Sequence, residues 1–290
     1  MGHGKLKKFA ENATFKCLLQ PSAEEVLVRD GSSVPASGSH PALVLRDHPI
    51  RGNWNHQMFA APQPIVLELG CGKGDYTIAL SRRDPQYNYI GVDIIGARLW
   101  TGAKQATEQS IPNVAFLRTR IEFIDAFFAP GEVSQIWLTF SDPQLSGSEN
   151  SRLSSPMFLE RYRRFMKPGG IIHLKTDSRF LHEYTLAVIR ANGLRLLYAS
   201  TDIYSSLSSR PSPSLSSRPS VASGEISLPP EVTGVQTFYE SMFLKMGLPI
   251  TYLAFTIDHE GPFVSPTDFD ADYWRTQEGP RRTFSHQPTK

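Results

Sequence analysis

The hydrophobic pattern of the chain changes character near residue 64. From there on, short apolar runs alternate with stretches whose apolar residues recur every three or four positions. The runs predict buried strands at 65–69, 89–93, 114–117, 135–140 and 170–175. The stretches between them predict helices at 76–82, 97–108, 158–166 and 180–191. Because alternating strands and helices are typical of a parallel sheet covered on both faces, the sequence predicts a Rossmann-like, doubly wound, mostly parallel α/β fold.

Two further strands are predicted at 194–199 and 251–257, on either side of a long polar interruption. The interruption contains the sequence SLSSRPSP at 206–213, followed at once by the near-copy SLSSRPSV. Such a Ser/Pro-rich stretch buries too little apolar surface to offset the entropy of ordering it. We therefore expect a flexible insertion over 204–230. The predicted organisation is a basic N-terminal extension (1–60), a main domain (61–258) and a polar C-terminal tail (259–290).

Composition excludes several classes of protein. The 290 residues carry 30 Lys+Arg and 28 Asp+Glu, a net charge of +2, and a nucleic-acid partner stays open because a local basic patch is enough. No apolar run approaches the ~18 residues that a membrane helix needs, and the first residues lack the apolar core of a signal peptide. The two cysteines, Cys17 and Cys71, cannot form a disulfide scaffold. We expect a cytoplasmic protein without a membrane partner.

A glycine-rich loop follows the first predicted strand. The sequence ELGCGKG places glycines at positions 70, 72 and 74, where backbone without side chains can approach a ligand and turn into a helix. Dinucleotide-binding folds use the wider spacing G-x-G-x-x-G, which disfavours an NAD-dependent oxidoreductase. Glu68, two residues before the first glycine, would repel a pyrophosphate but suits a cationic ligand.

The second strand ends on an acid, Asp93, which is 23 residues after Gly70. A carboxylate at that position can accept hydrogen bonds from both ribose hydroxyls of a nucleoside. Together with Glu68, this acid favours S-adenosylmethionine, which combines a ribose with an ammonium and a sulfonium group. Cys71 has no histidine partner nearby in the sequence and is interpreted as a small residue packed under the turn.

Two more acids follow predicted strands. Asp142 lies in LTFSDPQ after the fourth strand, and Asp177 lies in KTD after the fifth. Ligands of open α/β sheets bind at the carboxyl ends of the strands, so both acids are expected on the rim that carries the glycine loop. They could act as an acid–base pair, bind a metal or recognise a base edge, or each could cap a helix. We expect no metal, because no His or Cys cluster has ligand spacing.

Five segments, in this order, resemble the bacterial tRNA (guanine-N7-)-methyltransferases: VLELGCGKG, YIGVDI, FSDPQ, RFMKPGGIIHLKTD and TFYESMF. Members of that family methylate a guanine in the variable loop of tRNA with S-adenosylmethionine. The resemblance covers roughly residues 1–258 without the Ser/Pro insertion. It implies a class I methyltransferase domain over 61–258 and tRNA as the partner, and we expect a monomer or a homodimer.

The resemblance also implies roles for individual residues. It implies cofactor contacts at Glu68, Gly70, Gly72, Gly74, Asp93 and Asp142. Asp142 matches the acid beside the transferred methyl group and is the expected catalytic residue. Asp177 matches a contact to the guanine, and Thr237 and Glu240 match the C-terminal substrate-binding segment.

Two positions depart from the family pattern. Arg120 stands at the adenine-side position where many members carry an acid, and its cofactor contact is expected from the backbone. The family's basic run after Asp-Pro is here the polar stretch 144–152, with Ser146 near the expected lysine of the substrate site. Arg152 is the first cation left to contact phosphates, and the lysines near the N-terminus are expected to compensate.

Two other functions stay open at this point. The missing basic run allows a methyltransferase that acts on another RNA or on a small molecule, which a comparison of substrates would reveal. A relative that only binds RNA would have the same fold, and failure to bind the cofactor would identify it.

Overall fold

An eight-stranded sheet forms the centre of the computed structural model, which describes residues 3–29, 43–205 and 228–278. Its strands in chain order are β1 (Leu18–Leu19), β4 (Ile65–Leu69), β5 (Asn88–Asp93), β6 (Val114–Arg118), β7 (Val133–Thr139), β8 (Met166–Thr176), β9 (Leu196–Ser200) and β10 (Thr251–Thr256). Two short strands, β2 (Leu27–Arg29) and β3 (Leu43–Leu45), pair antiparallel in a separate sheet.

The order of the strands creates a crevice at the centre of the sheet. The spatial order is β1-β6-β5-β4-β7-β8-β10-β9, in which β10 runs antiparallel to both neighbours and the other pairs are parallel. The chain moves outward from β4 through β5 and β6, and then continues from β7 on the other side of β4. Ligands of such sheets bind at the carboxyl ends of the strands where the order reverses. The doubly wound, mostly parallel fold predicted from the sequence is confirmed.

Ten helices are present in the described ranges: α1 (His3–Asn12), α2 (Ala23–Val26), α3 (Trp54–Gln57), α4 (Asp75–Arg83), α5 (Gly96–Glu108), α6 (Pro156–Arg163), α7 (Arg179–Ala191), α8 (Pro230–Gly234), α9 (Phe238–Lys245) and α10 (Ala271–Gln277). Short 3₁₀ turns lie at Ile121–Ala126 and Glu149–Ser151. The periodic stretches predicted α4 to α7 to within a few residues. Most of the remaining helices are too short for a hydrophobic period to be visible in the sequence.

Large side chains fill both faces of the sheet. On one face, Trp54 is fully buried and donates a 2.8 Å hydrogen bond from Nε1 to the carbonyl of Phe127. On the other face, His173 stacks on Trp137 with ring centroids 4.1 Å apart, and its Nδ1 lies 2.8 Å from the hydroxyl of Tyr252. Burial lowers the pKa of His173 to about 3, so this ring is a neutral member of the core.

The regions outside the predicted main domain pack against it where they are described. Before residue 60, the chain adds β1 to the edge of the sheet and Trp54 to the core, and α1 lies against α5. After residue 258, in the predicted polar tail, α10 lies against α7. The domain boundaries stay predictions, and most of the expected insertion, with both copies of the repeat, lies outside the described residues. Among the described helices, none is long and apolar enough to cross a membrane.

A fully buried ion pair joins β8 to α9. The Nζ of Lys175 lies 2.7 Å from Oε1 of Glu240 and also donates hydrogen bonds to the carbonyls of Val232 (2.6 Å) and Val235 (3.0 Å). Oε1 of Glu240 accepts a 2.7 Å hydrogen bond from the hydroxyl of Tyr204. Burial lowers the pKa of Lys175, and the adjacent carboxylate acts in the opposite direction. The pair fixes α9 at the carboxyl end of β8.

We expect Glu240→Ala to lower the free energy of unfolding by about 3–5 kcal/mol, because it leaves the buried ammonium of Lys175 without its counter-charge. The matched control is Glu160→Ala, which removes a partly exposed partner of Arg163 and should cost about 1 kcal/mol or less. Urea denaturation followed by circular dichroism measures both variants. Equal losses in the two variants would contradict the structural role of the buried pair.

Candidate active site

The glycine loop after β4 borders open space. Gly70, Gly72 and Gly74 all have left-handed backbone angles, with φ of +79°, +58° and +77°. A Cβ atom placed on Gly70 or Gly72 would meet no atom within 4 Å, whereas one on Gly74 would lie 2.5 Å from the ring of Phe116. The first two glycines therefore line an open cradle, and the third allows the loop to pack closely on β6.

Asp93, the last residue of β5, is hydrogen-bonded to this loop. Its side chain is buried, its Oδ2 accepts a 3.0 Å hydrogen bond from the backbone N–H of Gly72, and its Oδ1 accepts a 2.7 Å hydrogen bond from that of Ile95. Each carboxylate oxygen has a further lone pair for the hydroxyls of a ribose. The expected ribose contact of Asp93 stays a prediction, and the position of the carboxylate beside the open cradle supports it.

Glu68 lies under the loop as a buried acid. Its two carboxyl oxygens accept hydrogen bonds from the hydroxyls of Thr77 on α4 and Thr139 at the end of β7. Burial raises the pKa of Glu68 to about 7, and the two hydroxyls act in the opposite direction. Near neutral pH the group is therefore partly protonated, and a cation bound nearby would favour its charged form.

The loop that carries Asp142 has a strained backbone. Phe140 and Gln144, on either side of this acid, are non-glycine residues with φ of 48° and 51°. Such conformations cost free energy and persist only where the surroundings hold them. Asp142 itself is exposed, and its Oδ1 accepts a 2.9 Å hydrogen bond from the backbone N–H of Gln144, which closes a local turn.

Arg152 holds this loop from beneath. The residue is only 4% exposed, and its guanidinium donates 3.2 Å hydrogen bonds to the carbonyls of Pro143 and Gln144. The rings of Phe180 and Tyr184 lie 4.9 and 4.7 Å from the guanidinium carbon. The expectation that Arg152 contacts phosphates is at odds with this burial. Sequence reasoning missed its contact with the loop because the pattern of residues around position 152 gives no signal of burial.

The other cations that follow the Asp142 loop also have partners within the protein. Arg163 donates to the carbonyl of His259 at 3.1 Å and forms an ion pair with Glu160. Arg164 forms a 2.7 Å ion pair with Asp125. These contacts engage two arginines at the C-terminal end of α6 within the protein.

The other residues predicted for the site differ in how far they are buried. Asp177 is partly buried between β8 and Ser178, the N-cap of α7, and Ser146 is exposed in the loop after Asp142. Arg120 follows β6 with an exposed side chain that pairs with Glu122 at 3.3 Å. Their cofactor or substrate contacts stay predictions.

Thr237 and Glu240 form a capping box at the start of α9. The Oγ1 of Thr237 accepts a 3.1 Å hydrogen bond from the backbone N–H of Glu240, and the Glu240 side chain accepts from the backbone N–H of Thr237. The sequence signal for this motif is T-x-x-E before an apolar run. A substrate contact for either residue stays a prediction, and Glu240 would have to leave its buried partners to make one.

One edge of the sheet collects the predicted acids. Glu68, Asp93, Asp142 and Asp177 belong to or follow strands that are adjacent in the order β5-β4-β7-β8, and the glycine loop lies among them. The open space at Gly70 and Gly72, with one buried acid on each side of the loop, fits S-adenosylmethionine, which carries a ribose and positive charge. The fit is one of shape and of charge. No group of three or more His, Cys, Asp or Glu side chains within the described residues is placed to hold a metal ion.

Comparison with known proteins places the chain among methyltransferases. A family model described as "Putative methyltransferase" matches residues 62–216. The tRNA (guanine-N(7)-)-methyltransferase of Christiangramia forsetii is 44% identical over 254 residues, which cover 87% of this chain and 97% of the relative. The protein of the same name from Bacteroides fragilis is 40% identical over 284 residues, or 98% of each chain. Among solved structures, the 16S rRNA methyltransferase KamB matches 70% of this chain and 89% of its own, with 16% identity and a TM-score of 0.47, too distant to bear on the site.

The fold and the site therefore define an S-adenosylmethionine-dependent methyltransferase with a doubly wound sheet. The level of identity to these relatives, over most of each chain, narrows this class to one family. It belongs to the tRNA (guanine-N(7)-)-methyltransferase family. This membership confirms the resemblance found in the sequence.

The raised pKa of Glu68 predicts a pH-dependent stability. Because the folded protein keeps a proton on this group up to about pH 7, whereas the unfolded chain loses it near pH 4.5, its favourable contribution is full below pH 4.5 and is lost as the pH rises through 7. We expect the wild type to lose about 3 kcal/mol relative to Glu68→Gln between pH 5 and pH 8. Urea denaturation of both proteins at each pH measures the difference. Parallel pH profiles for the two proteins would show that Glu68 titrates normally.

Proposed function

We propose that this protein transfers the methyl group of S-adenosylmethionine to N7 of a guanine in the variable loop of tRNA, in the cytoplasm. The observation that carries the proposal is the pair of acids, Asp142 and Asp177, on the loops after β7 and β8, beside a glycine cradle that suits the cofactor. The membership of the chain in the tRNA (guanine-N(7)-)-methyltransferase family supports the choice of substrate.

The reaction depends more on how the guanine is positioned than on a strong base. Guanine N7 has a lone pair that faces the major groove and needs no deprotonation before it reacts. When bound, the cofactor supplies an electrophilic methyl group on its sulfonium. The task of the chain is therefore to hold the guanine in line with that methyl group at close range and to exclude water.

Three groups on the cofactor side of the site have distinct roles. Gly70 and Gly72 leave the open space, since a side chain at either position would project into it. Asp93 binds the ribose hydroxyls while it keeps the loop in place through Gly72. Glu68 would supply negative charge beneath the loop, because a cation bound nearby would favour the ionised form of this buried acid.

The substrate side of the site depends on the two rim acids. Methylation at N7 makes the guanine cationic, so a carboxylate near the ring stabilises the charge that develops. Asp142 is exposed at the end of β7, next to the cofactor loop on β4, and is assigned to this task. Asp177, one strand further along the edge, is assigned to the hydrogen-bond donors at N1 and N2 of the base.

Contacts to the tRNA backbone come from elsewhere on the surface. Because Arg152, Arg163 and Arg164 are engaged within the protein, we assign the phosphate contacts to the N-terminal lysines. Lys7 and Lys16 are exposed there, in and just after α1. Charge neutralisation at these positions would make tRNA binding depend on salt.

Mass spectrometry of nucleosides tests the function directly. Undermodified tRNA incubated with the protein and S-adenosylmethionine should gain 7-methylguanosine. Cofactor binding without this product would indicate a methyltransferase with another RNA or a small-molecule substrate. Failure to bind the cofactor would indicate a relative that only binds RNA.

We expect Asp93→Ala to weaken binding of S-adenosylmethionine by about 1–3 kcal/mol, the scale for leaving buried polar groups of a ligand unpaired. Isothermal calorimetry measures the affinity, and Asp47→Ala is the control because it removes an exposed acid that pairs with Arg51. Unchanged affinity in Asp93→Ala would contradict the ribose assignment.

Substitution of the two rim acids, Asp142 and Asp177, should change different kinetic parameters. Asp142→Asn should reduce turnover by about 10- to 100-fold, because the amide loses the charge that faces the reacting centre. The amide oxygen can still accept from Gln144, so the loop should keep its conformation. Asp177→Asn should instead raise the KM for tRNA by about tenfold, the effect of roughly 1.4 kcal/mol of lost binding.

Steady-state kinetics on tRNA, with circular dichroism to verify folding, measure both variants. Ser178, not Asp177, caps α7, and Asp142 closes only a local turn, so the cap interpretation of the two acids is wrong. Because asparagine keeps an acceptor oxygen, both variants should resemble the wild type if the acids only hold local backbone. That outcome would contradict the assignment of the active site.

A further inference from the structure

The C-terminal segment (263–278) makes polar contacts with the loop that carries Asp142. The Nε of Arg275 on α10 donates a 2.6 Å hydrogen bond to the carbonyl of Leu145. The hydroxyl of Ser265 donates a 2.9 Å hydrogen bond to Glu149, whose other carboxyl oxygen accepts from the hydroxyl of Tyr184 at 2.8 Å. The C-terminal segment thus contacts the polar stretch 144–152 at two places, Leu145 and Glu149.

The same segment contacts the chain next to Asp177. One carboxyl oxygen of Glu278 accepts hydrogen bonds from the hydroxyl of Ser178, at 2.8 Å, and from the backbone N–H of Phe180, at 2.5 Å. A carboxylate is favoured at this helix N-terminus by the helix dipole and the free N–H groups. Because Ser178 is the residue directly after Asp177, these bonds fix the backbone on which Asp177 is carried.

An aromatic cluster connects the two sets of contacts. Phe269 packs edge-on against the rings of Phe180 and Tyr184, with centroids 5.2 and 5.4 Å apart. Those two rings flank the guanidinium of Arg152, which holds the carbonyls of Pro143 and Gln144. A continuous set of contacts therefore runs from the C-terminal segment to the backbone of both rim acids.

The loop after Asp142 needs such support. Residues 144–148 read Gln-Leu-Ser-Gly-Ser, a composition with high conformational entropy in the absence of external contacts. The strained backbone at Phe140 and Gln144 adds to the cost of holding Asp142 where it is. The contacts from Arg152 and the C-terminal segment offset this cost.

We propose that the C-terminal segment is a positioning element of the active site, in which Glu278 and Arg275 hold the Asp142 and Asp177 loops at the spacing that the guanine requires. The inference rests on the proposed function and extends it to residues that lie outside the cofactor and guanine sites. Small displacements of reacting groups are costly, since an error of about 1 Å can reduce a rate about 100-fold.

The test compares full-length variants in the tRNA methylation assay. Glu278→Ala and Arg275→Ala should each lower kcat by about tenfold, because they release one of the two loops. The affinity for S-adenosylmethionine should change less than about twofold, and the thermal midpoint should shift by less than about 3 °C. Glu278→Gln should retain at least half of the wild-type kcat, because its amide oxygen can still accept from Ser178 and Phe180.

Arg190→Ala is the matched control. Arg190 binds the same segment through an exposed 3.3 Å ion pair with Asp268, at the end of α7 that is remote from the rim, and this variant should keep the wild-type kcat. Wild-type kcat in Glu278→Ala and Arg275→Ala would overturn the inference, as would an equal loss in Arg190→Ala or a Gln variant as impaired as the Ala variant. Failure of the wild-type protein to methylate tRNA would instead contradict the proposed function.

Discussion

The site depends on the two hydrogen bonds that the buried carboxyl group of Glu68 accepts. This group joins β4, the start of α4 and the end of β7, which together carry the cofactor loop and lead into the Asp142 loop. Burial makes the ionised form unfavourable, as the raised pKa of about 7 indicates. The protein thus keeps an acid in a position that lowers its own stability at neutral pH, where a cationic ligand can recover that free energy on binding.

The long elements could be predicted from the sequence, and the short ones could not. Strand β4 has the predicted bounds, and α5 and α7 each begin one residue before the prediction and end where it does, because each repeats its hydrophobic period several times. Strand β1 has two residues, too few to show any period, yet it extends the sheet. Tertiary contacts decide the conformation of such segments, and these contacts are not encoded within a short window of sequence.

Some features of the candidate site could likewise be predicted from the sequence, and others could not. Glu68 and Asp93 follow from the spacing of acids and glycines around a strand end, because the parallel topology fixes where strand ends meet. The contacts of Arg152, by contrast, depend on two aromatic rings from α7 and two carbonyls of a loop, which the fold brings together across different elements. A sequence shows that an arginine is present, but its partners determine whether it meets solvent, a phosphate or the protein's own backbone.

Two arginines near the rim, Arg152 and Arg275, are held by the protein itself, and this limits what they can contribute to binding the substrate. Arg152 and Arg275 both donate to carbonyls of the stretch 143–145, in the loop that carries Asp142. Guanidinium groups suit this task, since their fixed donors can satisfy carbonyls of irregular backbone. A loop ordered in this way exposes backbone and small polar side chains rather than positive charge. Under the proposed function, affinity for the tRNA comes from charged residues farther from the reacting base, and the role of the loop is to determine geometry.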